Sequence, residues 1–254
     1  MTISALVLTK NEEEMVEGCL RQLKFADEIV IVDQNSKDHT LKIARKYTDR
    51  IFKSGANDFA QNRNILKDQA KGKWLLYVDA DERLPQGLVK EIKIAISKNE
   101  FGAFYIPRKN YVLGKWVRHG GWWPDYAPRL FEKSKLEKWE GVVHESPQVF
   151  GKIGYLKTPI EHLSARSMSQ MFSKSINWAK IEADLFLKHG HRQVSIASIL
   201  KLSAFEFVRR YILKLGFLDG VVGLIEGIYQ SLHQAMVLTY LWEAQNRKNR
   251  RKTL

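Results

Sequence analysis

The chain has 254 residues, 44% of them hydrophobic and 27% charged, which excludes disordered and fibrous classes. Forty-one Lys and Arg against 28 Asp and Glu leave a formal net charge of +13. The single cysteine, Cys19, excludes an internal disulfide framework and a cysteine-built zinc site, and it fits a small buried hydrophobe in a reducing compartment.

Residues 3–8 form an apolar run too short for a signal peptide and read as a strand. Residues 12–24 read as a helix with acids in its first turn, where the helix dipole favours them. A strand is expected over 28–32, a helix over 37–47, a short strand over 50–53 and a helix over 59–70. A strand follows over 74–78, then a helix over 86–98 that opens after Pro85. Strands alternating with helices at this spacing imply a doubly wound, mostly parallel α/β sheet.

Residues 102–160 change character, with short β-like pieces at 103–106, 129–131, 142–143 and 152–156 between Gly, Pro and aromatic residues. Four of the seven tryptophans, Trp116, Trp122, Trp123 and Trp139, fall here. The last of six prolines is Pro159, and beyond it helices are expected at 168–188, 195–215 and 221–246, broken at Gly190 and at Asp219-Gly220. The chain therefore divides into an α/β region, 1–165, and a helical region, 166–254. It contains no internal repeat.

The basic excess is uneven: 27 basic and 22 acidic side chains in residues 1–165, but 14 and 6 in residues 166–254. Such an excess suits nucleic acid, an anionic membrane surface or an acidic substrate; a solvated helical face with the basic tail 247–252 explains it equally well. Val221, Ile225, Ile228, Leu232, Ala235 and Thr239 recur at helical spacing, and upstream Phe205, Val208, Ile212 and Leu215 alternate with Arg209, Arg210 and Lys214. Helices of this kind either lie in a membrane interface or pack on the α/β region or a second subunit, as in a homodimer. The expectation is packed helices with one basic apolar edge touching a membrane. No run of ~18 uncharged apolar residues exists, so the chain is expected to be cytoplasmic, peripheral on the inner membrane face.

In an open parallel sheet, ligands bind at the carboxyl ends of the strands. Three polar groups fall there: Thr9-Lys10-Asn11-Glu12, Asp33-Gln34-Asn35-Ser36 and Asp79-Ala80-Asp81-Glu82-Arg83. Asp79 and Asp81, two apart at an extended strand end, would point the same way and need something positive between them. Mg²⁺ takes one or two protein carboxylates and completes its shell with phosphate and water, whereas a solvated turn capping the next helix is the structural alternative. No G-x-G-x-x-G follows the first strand, and neither a P-loop nor a G-x-S-x-G elbow occurs.

The series ALVLTKNEE, DEIVIVDQNSKDHT, FAQNRN and KWLLYVDADERL resembles the family-2 nucleotide-sugar glycosyltransferases with the GT-A fold, and the resemblance continues through APRLFEK, WEGVVHESP and IEHLS. The late RRYILKLGFLDGVVGL is similar to the lipopolysaccharide inner-core glucosyltransferase branch. The resemblance implies that Thr9, Asn11, Glu12, Asp33, Arg63 and Asp79 contact the nucleotide, with Asn64 structural. Asp81 would ligate Mg²⁺ or Mn²⁺, with His162 as a second ligand, whereas His144 reads as a hydrogen-bonded histidine. Where many relatives have a second acid after the strand, this chain has Gln34.

Such an enzyme would invert the anomeric centre by single displacement, a carboxylate taking the acceptor hydroxyl proton. Glu145 is the first candidate base and Asp125 the second. Trp122 and Trp123 would stack on an acceptor sugar, with core packing the alternative for one of them. The expected partners are a nucleotide-diphosphate sugar such as UDP-glucose and an anionic lipid-linked glycan such as lipopolysaccharide core. Alternatives are a polyprenyl phosphate or protein acceptor, or a non-catalytic basic protein that binds anionic lipid. Nucleic acid is not expected, because the aromatics cluster beside acids instead of interleaving with the basic residues.

Overall fold

The structure, a computed structural model, describes residues 2–56, 58–98, 100–141 and 145–253. The expected strand at 142–143 and His144 lie outside the described residues, as do the side chains of the tail from residue 248 onward. The chain forms two compact units, one of residues 1–109 and 125–162 and the other of residues 110–124 and 163–254. The excursion 110–124, expected within the α/β region, thus belongs to the helical unit.

The first unit begins with β1 (Ile3–Thr9), α1 (Val16–Gln22), β2 (Glu28–Asp33), α2 (Thr40–Ala44), β3 (Ile51–Lys53), α3 (Phe59–Gln69) and β4 (Trp74–Asp79). β5 (Glu82–Arg83) and α4 (Gln86–Lys98) follow. The chain continues with β6 (Ala103–Val112), β7 (Lys115–Trp116), β8 (Asp125–Glu132), β9 (Leu136–Glu140), β10 (Ser146–Val149), β11 (Ile153–Tyr155) and β12 (Ile160–Ala165). The sheet runs β3-β2-β1-β4-β8-β6-β12-β5, while β9 and β10 form a separate hairpin. β1, β2, β3 and β4 are parallel, and β8 enters antiparallel to both β4 and β6. The parallel half is the doubly wound sheet expected from the alternation of strands and helices.

Both faces of this half are buried, which is why β1 and β4 read as continuous apolar runs. Successive side chains point to opposite faces. Ile3, Ala5 and Val7 of β1 join Trp74, Leu76 and Val78 of β4 in one core with Val16, Cys19 and Leu20 of α1 and Leu88 and Ile92 of α4. Leu6, Leu8, Leu75 and Tyr77 face the other way, onto Ala60 and Leu66 of α3 and onto Trp139. Burial pushes the Cys19 thiol well above its ordinary pKa, as suits a core residue.

Two helices are shorter than their sequence periods suggest. Residues 12–15 form a turn instead of the start of α1, because Glu12 N–H donates to Thr40 Oγ1 (2.8 Å) and Glu13 accepts the His39 N–H (2.8 Å). The Glu13 carboxylate thus serves the neighbouring loop, and Glu17 is the acid in the first turn of α1. α2 starts only at Thr40, whose N–H and hydroxyl both reach Asp38 Oδ1, at 3.0 and 2.6 Å.

In the second unit, α5 (Met168–Lys188), α6 (Ile196–Phe207) and α7 (Gly220–Thr253) pack together, α7 against both others. Ser167 and Ser195 cap α5 and α6. The helix expected over 195–215 narrows to α6 and continues as a wider π-type turn over Val208–Leu213. A short 3₁₀ turn, Gly216–Asp219, then reverses the chain into α7. Buried Asp219 accepts the N–H groups of Arg118 and His119 at 3.0 and 2.7 Å and pins the 110–124 hairpin to that turn.

At the amino end of β4, Gly72 N–H donates to Ser4 Oγ (2.8 Å), and a Cβ at Gly72 would lie 2.5 Å from that oxygen and 2.7 Å from Ser4 N. The β1 backbone cannot yield without breaking its pairing. Gly72→Ala is therefore expected to cost ~1–3 kcal/mol, read as a lower denaturant midpoint at unchanged m-value.

Candidate active site

The carboxyl ends of β1, β2 and β4 come together because the three strands are parallel and in register: Thr9 pairs with Asp33, and Leu8 with Asp79. Asp33 is fully buried and accepts the hydroxyl of Thr9 (3.1 Å) and both the N–H (3.0 Å) and hydroxyl (2.5 Å) of Ser36. Asn11 is held in the left-handed region at φ 53°; its N–H donates to Ser36 Oγ (2.9 Å), and its side-chain oxygen accepts from Lys37 N–H (2.7 Å). Thr9, Asn11, Glu12 and Asp33 thus form one knotted pair of loops, with Asp33 as its internal anchor.

Asp79 closes β4, and the chain turns at Ala80-Asp81 before Glu82 starts β5. The chain thus leaves the extended conformation between the two aspartates. Arg83 fixes the turn by donating to Ala80 O (3.0 Å) and Met15 O (3.0 Å). Asp79 faces two arginines: Arg63 Nη2 at 3.3 Å and Arg129 Nη2 in close contact. Arg129 also donates to the fully buried Glu82 (2.7 Å), which accepts the Asp79 N–H (3.0 Å) through its other oxygen. Burial alone would raise the Asp79 pKa, but the charges of Arg129 and then Arg63 outweigh it and hold the carboxyl well below the usual range.

Asp81 lies instead beside His162, with Oδ2 at 3.5 Å from Nε2. The antiparallel pairing of β5 with β12, which sets His162 opposite Glu82, brings the two together. Arg63 is stacked over Trp139 (4.9 Å) and Tyr77 (5.7 Å), and its Nε reaches Glu145 Oε1 at 3.1 Å. Glu145 is therefore joined to Asp79 through one guanidinium. The next residue, Asn64, exchanges two hydrogen bonds with the Trp139 backbone, at 2.8 and 2.9 Å, and clamps β9 to α3. Asp125 pairs with Arg108 through Oδ2, at 2.8 and 3.0 Å.

Trp122 and Trp123 belong to the second unit. Trp122 packs against the cluster of Val112, Val117, Ala165 and Met171, whereas Trp123 is 38% exposed and meets Trp116 edge-on at 5.6 Å. Sequence reasoning gave Glu82 no role of its own within its polar group and passed over Arg108 and Arg129. The signal for Arg129 was present: a lone cation inside the apolar strand Leu130-Phe131 has to meet buried acids.

Arg63, Arg108 and Arg129 pair with four carboxylates, Asp79, Glu82, Asp125 and Glu145, while Asp81 lies beside His162. Among the described residues no set of three acidic, His or Cys side chains gathers around one point. A carboxylate and an imidazole facing each other do fit a divalent cation that draws its remaining ligands from phosphate and water. Asp79 is engaged by two arginines.

Residues 4–161 match the family described as Glycosyl transferase family 2. The chain belongs to that family. A family relative, the lipopolysaccharide core biosynthesis glycosyltransferase LpsC of Rhizobium meliloti, is 22% identical over 96% of this chain and 93% of its own length. Staphylococcus aureus TarS, solved in complex with UDP-GlcNAc, superposes with a TM-score of 0.50 at 15% identity, covering 98% of this chain and 92% of that one. Glucosyl-3-phosphoglycerate synthase from Mycobacterium tuberculosis, solved with Mn²⁺ and UDP-glucose, gives a TM-score of 0.50 at 14% identity, over 77% and 82% of the two chains. The fold of this family-2 chain is the GT-A α/β sheet followed by a helical region.

Because its folded pKa is depressed, Asp79 contributes stability above the usual aspartate range, lost only as pH falls through the still lower folded value. Replacing Arg129 by Met strands Asp79 and Glu82 without their shared cation and should cost roughly 3–5 kcal/mol at neutral pH. The deficit should narrow on acidification, as protons neutralise the stranded acids, which chemical denaturation across the acid range measures.

Proposed function

We propose that the chain transfers a hexose from a UDP-sugar, UDP-glucose in type, to a lipid-linked glycan of the lipopolysaccharide-core kind, with inversion at the anomeric carbon. The observation that carries this reading is the chain Glu145–Arg63–Asp79 beside the Asp81–His162 pair, all at the carboxyl ends of the parallel strands. A nucleotide-binding end and a candidate base are thereby tied to one guanidinium. The UDP-sugars bound in the two structural neighbours and the role of LpsC in lipopolysaccharide core biosynthesis support the donor and acceptor classes.

In this mechanism the loops around Thr9, Asn11, Glu12 and Asp33 hold the nucleoside. Asp79, fixed in the ionised form, holds the ribose and orients Arg63. Asp81 and His162 are the residues that would hold Mg²⁺ or Mn²⁺; when bound, the cation supplies positive charge to the departing diphosphate. The acceptor hydroxyl oxygen attacks the anomeric carbon and forms the new glycosidic bond, while the bond from that carbon to the diphosphate oxygen breaks. Glu145 takes the hydroxyl proton, its carboxylate positioned by Arg63 Nε at 3.1 Å. Asp125, paired with Arg108, is the second candidate. Trp123, with its exposed ring, is the acceptor-stacking residue of its pair. A lipid-linked acceptor of this kind would be met at the inner face of the cytoplasmic membrane.

Thermal unfolding with UDP and Mn²⁺ tests the donor site: a ligand at ~100 times its Kd adds ~2.7 kcal/mol. The shift should require the metal and disappear in Asp81→Ala; no response to any nucleoside diphosphate, with or without metal, would sink the transferase reading. Glu145→Gln should keep the UDP response yet lower the transfer rate by ~10²–10⁴, while Asp125→Asn should leave it within about tenfold of the original. The reverse ranking would move the base to Asp125.

A further inference from the structure

The helical unit carries a surface that the transfer reaction does not use. Leu213, Leu215, Phe217, Leu218 and Val221, five large apolar residues within nine positions, are each 44–73% exposed. Burying them in water-free surroundings is worth ~1.5–3 kcal/mol apiece, so a run of this density left in water is costly. They cannot turn inward, because the break between α6 and α7 fixes the backbone. Leu215 sits in the left-handed region at φ 58°, and the 3₁₀ turn after it is held by buried Asp219. Gly223 seals the turn from below, since a Cβ there would collide with Gly216 O. The exposed face continues back along α6 and the π-type turn through Leu200, Phe205, Val208 and Ile212, and α6 has no buried residue at all.

Charge decides what covers this face. Between residues 185 and 242 the chain has only three acids, and all are turned in: Glu206 at 14% side-chain exposure, Asp219 at 5%, and Glu226, which is buried. Lys201, Arg209, Arg210 and Lys214 border the apolar residues; Glu206 is shared between the two arginines, leaving a net positive rim. Lys115 and Arg118 of the hairpin add to it, Lys115 reaching Asp219 O at 2.6 Å. An apolar edge with a basic rim and no exposed acid matches the boundary between acyl chains and anionic headgroups. A second copy of this chain would place the same positive rim against itself across a twofold axis.

We propose that the segment from α6 through Val221 is a membrane-docking edge that enters the headgroup layer of an anionic phospholipid bilayer. The apolar residues at the helix break go deepest, and the lysines and arginines meet phosphate. This deepens the lipid-linked acceptor reading and takes its purpose from it: an enzyme seated on the bilayer meets its acceptor in two dimensions.

The test is flotation of the full chain with vesicles of phosphatidylcholine alone or mixed with phosphatidylglycerol. Binding to the anionic vesicles should be at least ~10-fold tighter and weaken with salt. The double variant Leu213→Ser/Leu218→Asp changes only exposed side chains, so its thermal unfolding and its response to UDP with Mn²⁺ should match the original, while vesicle binding falls at least ~10-fold. The proposal is overturned if the unaltered chain ignores anionic vesicles, or if the double variant binds them equally well. It is also overturned if light scattering shows a dimer that the double variant dissolves while neither form binds lipid. A chain that answers UDP and metal but not vesicles loses only the docking edge; one that binds vesicles but no nucleotide keeps the edge and loses the transferase reading.

Discussion

The buried guanidinium of Arg129, shared by Asp79 and Glu82, is the contact on which the catalytic end of the sheet depends. Asp79 ends the central parallel strand and Glu82 starts the next, so the arginine lies across the one turn that must be rigid for donor chemistry. Isolated buried charges are prohibitive; a cation with two acids is tolerable because every oxygen of the two carboxylates has a donor. β8 brings the arginine there by entering the sheet antiparallel beside β4. The mixed topology of the second half is thus an electrostatic requirement of the first.

Around that turn the site divides its labour. Asp79 is bound up with arginines and works as a fixed negative point, while Asp81, on the other side of Ala80, is left to His162. A divalent cation at that pair would find a carboxylate and an imidazole facing each other. Two-residue acidic motifs look symmetrical in a sequence, but a turn between the acids gives them unlike surroundings and unlike duties.

Much of the first half was legible because its physics is local. The apolar runs of β1 and β4, sealed on both faces, and the amphipathic period of α4 over 86–98 depend on near neighbours alone. Asp81 and His162 could be paired in advance only through family resemblance, since 81 residues of chain separate them and a strand pairing closes the gap. What stayed illegible was competition from a distance. The acids at 12–14 look like a helix start, yet the Ser36–Thr40 loop claims Glu12 and Glu13. Arg129 went unnoticed because the interior place of its strand is set by pairing with β4 and β6, not by its own neighbours in sequence. The 110–124 excursion joins the helical unit through Asp219, a contact about a hundred residues away in sequence.

Helix α3 offers neighbouring residues to different tasks: Arg63 joins Asp79 to Glu145, and Asn64 grips the backbone of Trp139 on the strand before Glu145. Donor cluster and candidate base are therefore mounted on a single rigid bracket. Drift in sequence can tilt or shift that bracket only as a whole, carrying both ends together and preserving their spacing. Diversification toward new acceptors is then channelled away from α3, into surfaces that can vary without disturbing the distance over which a bond is made.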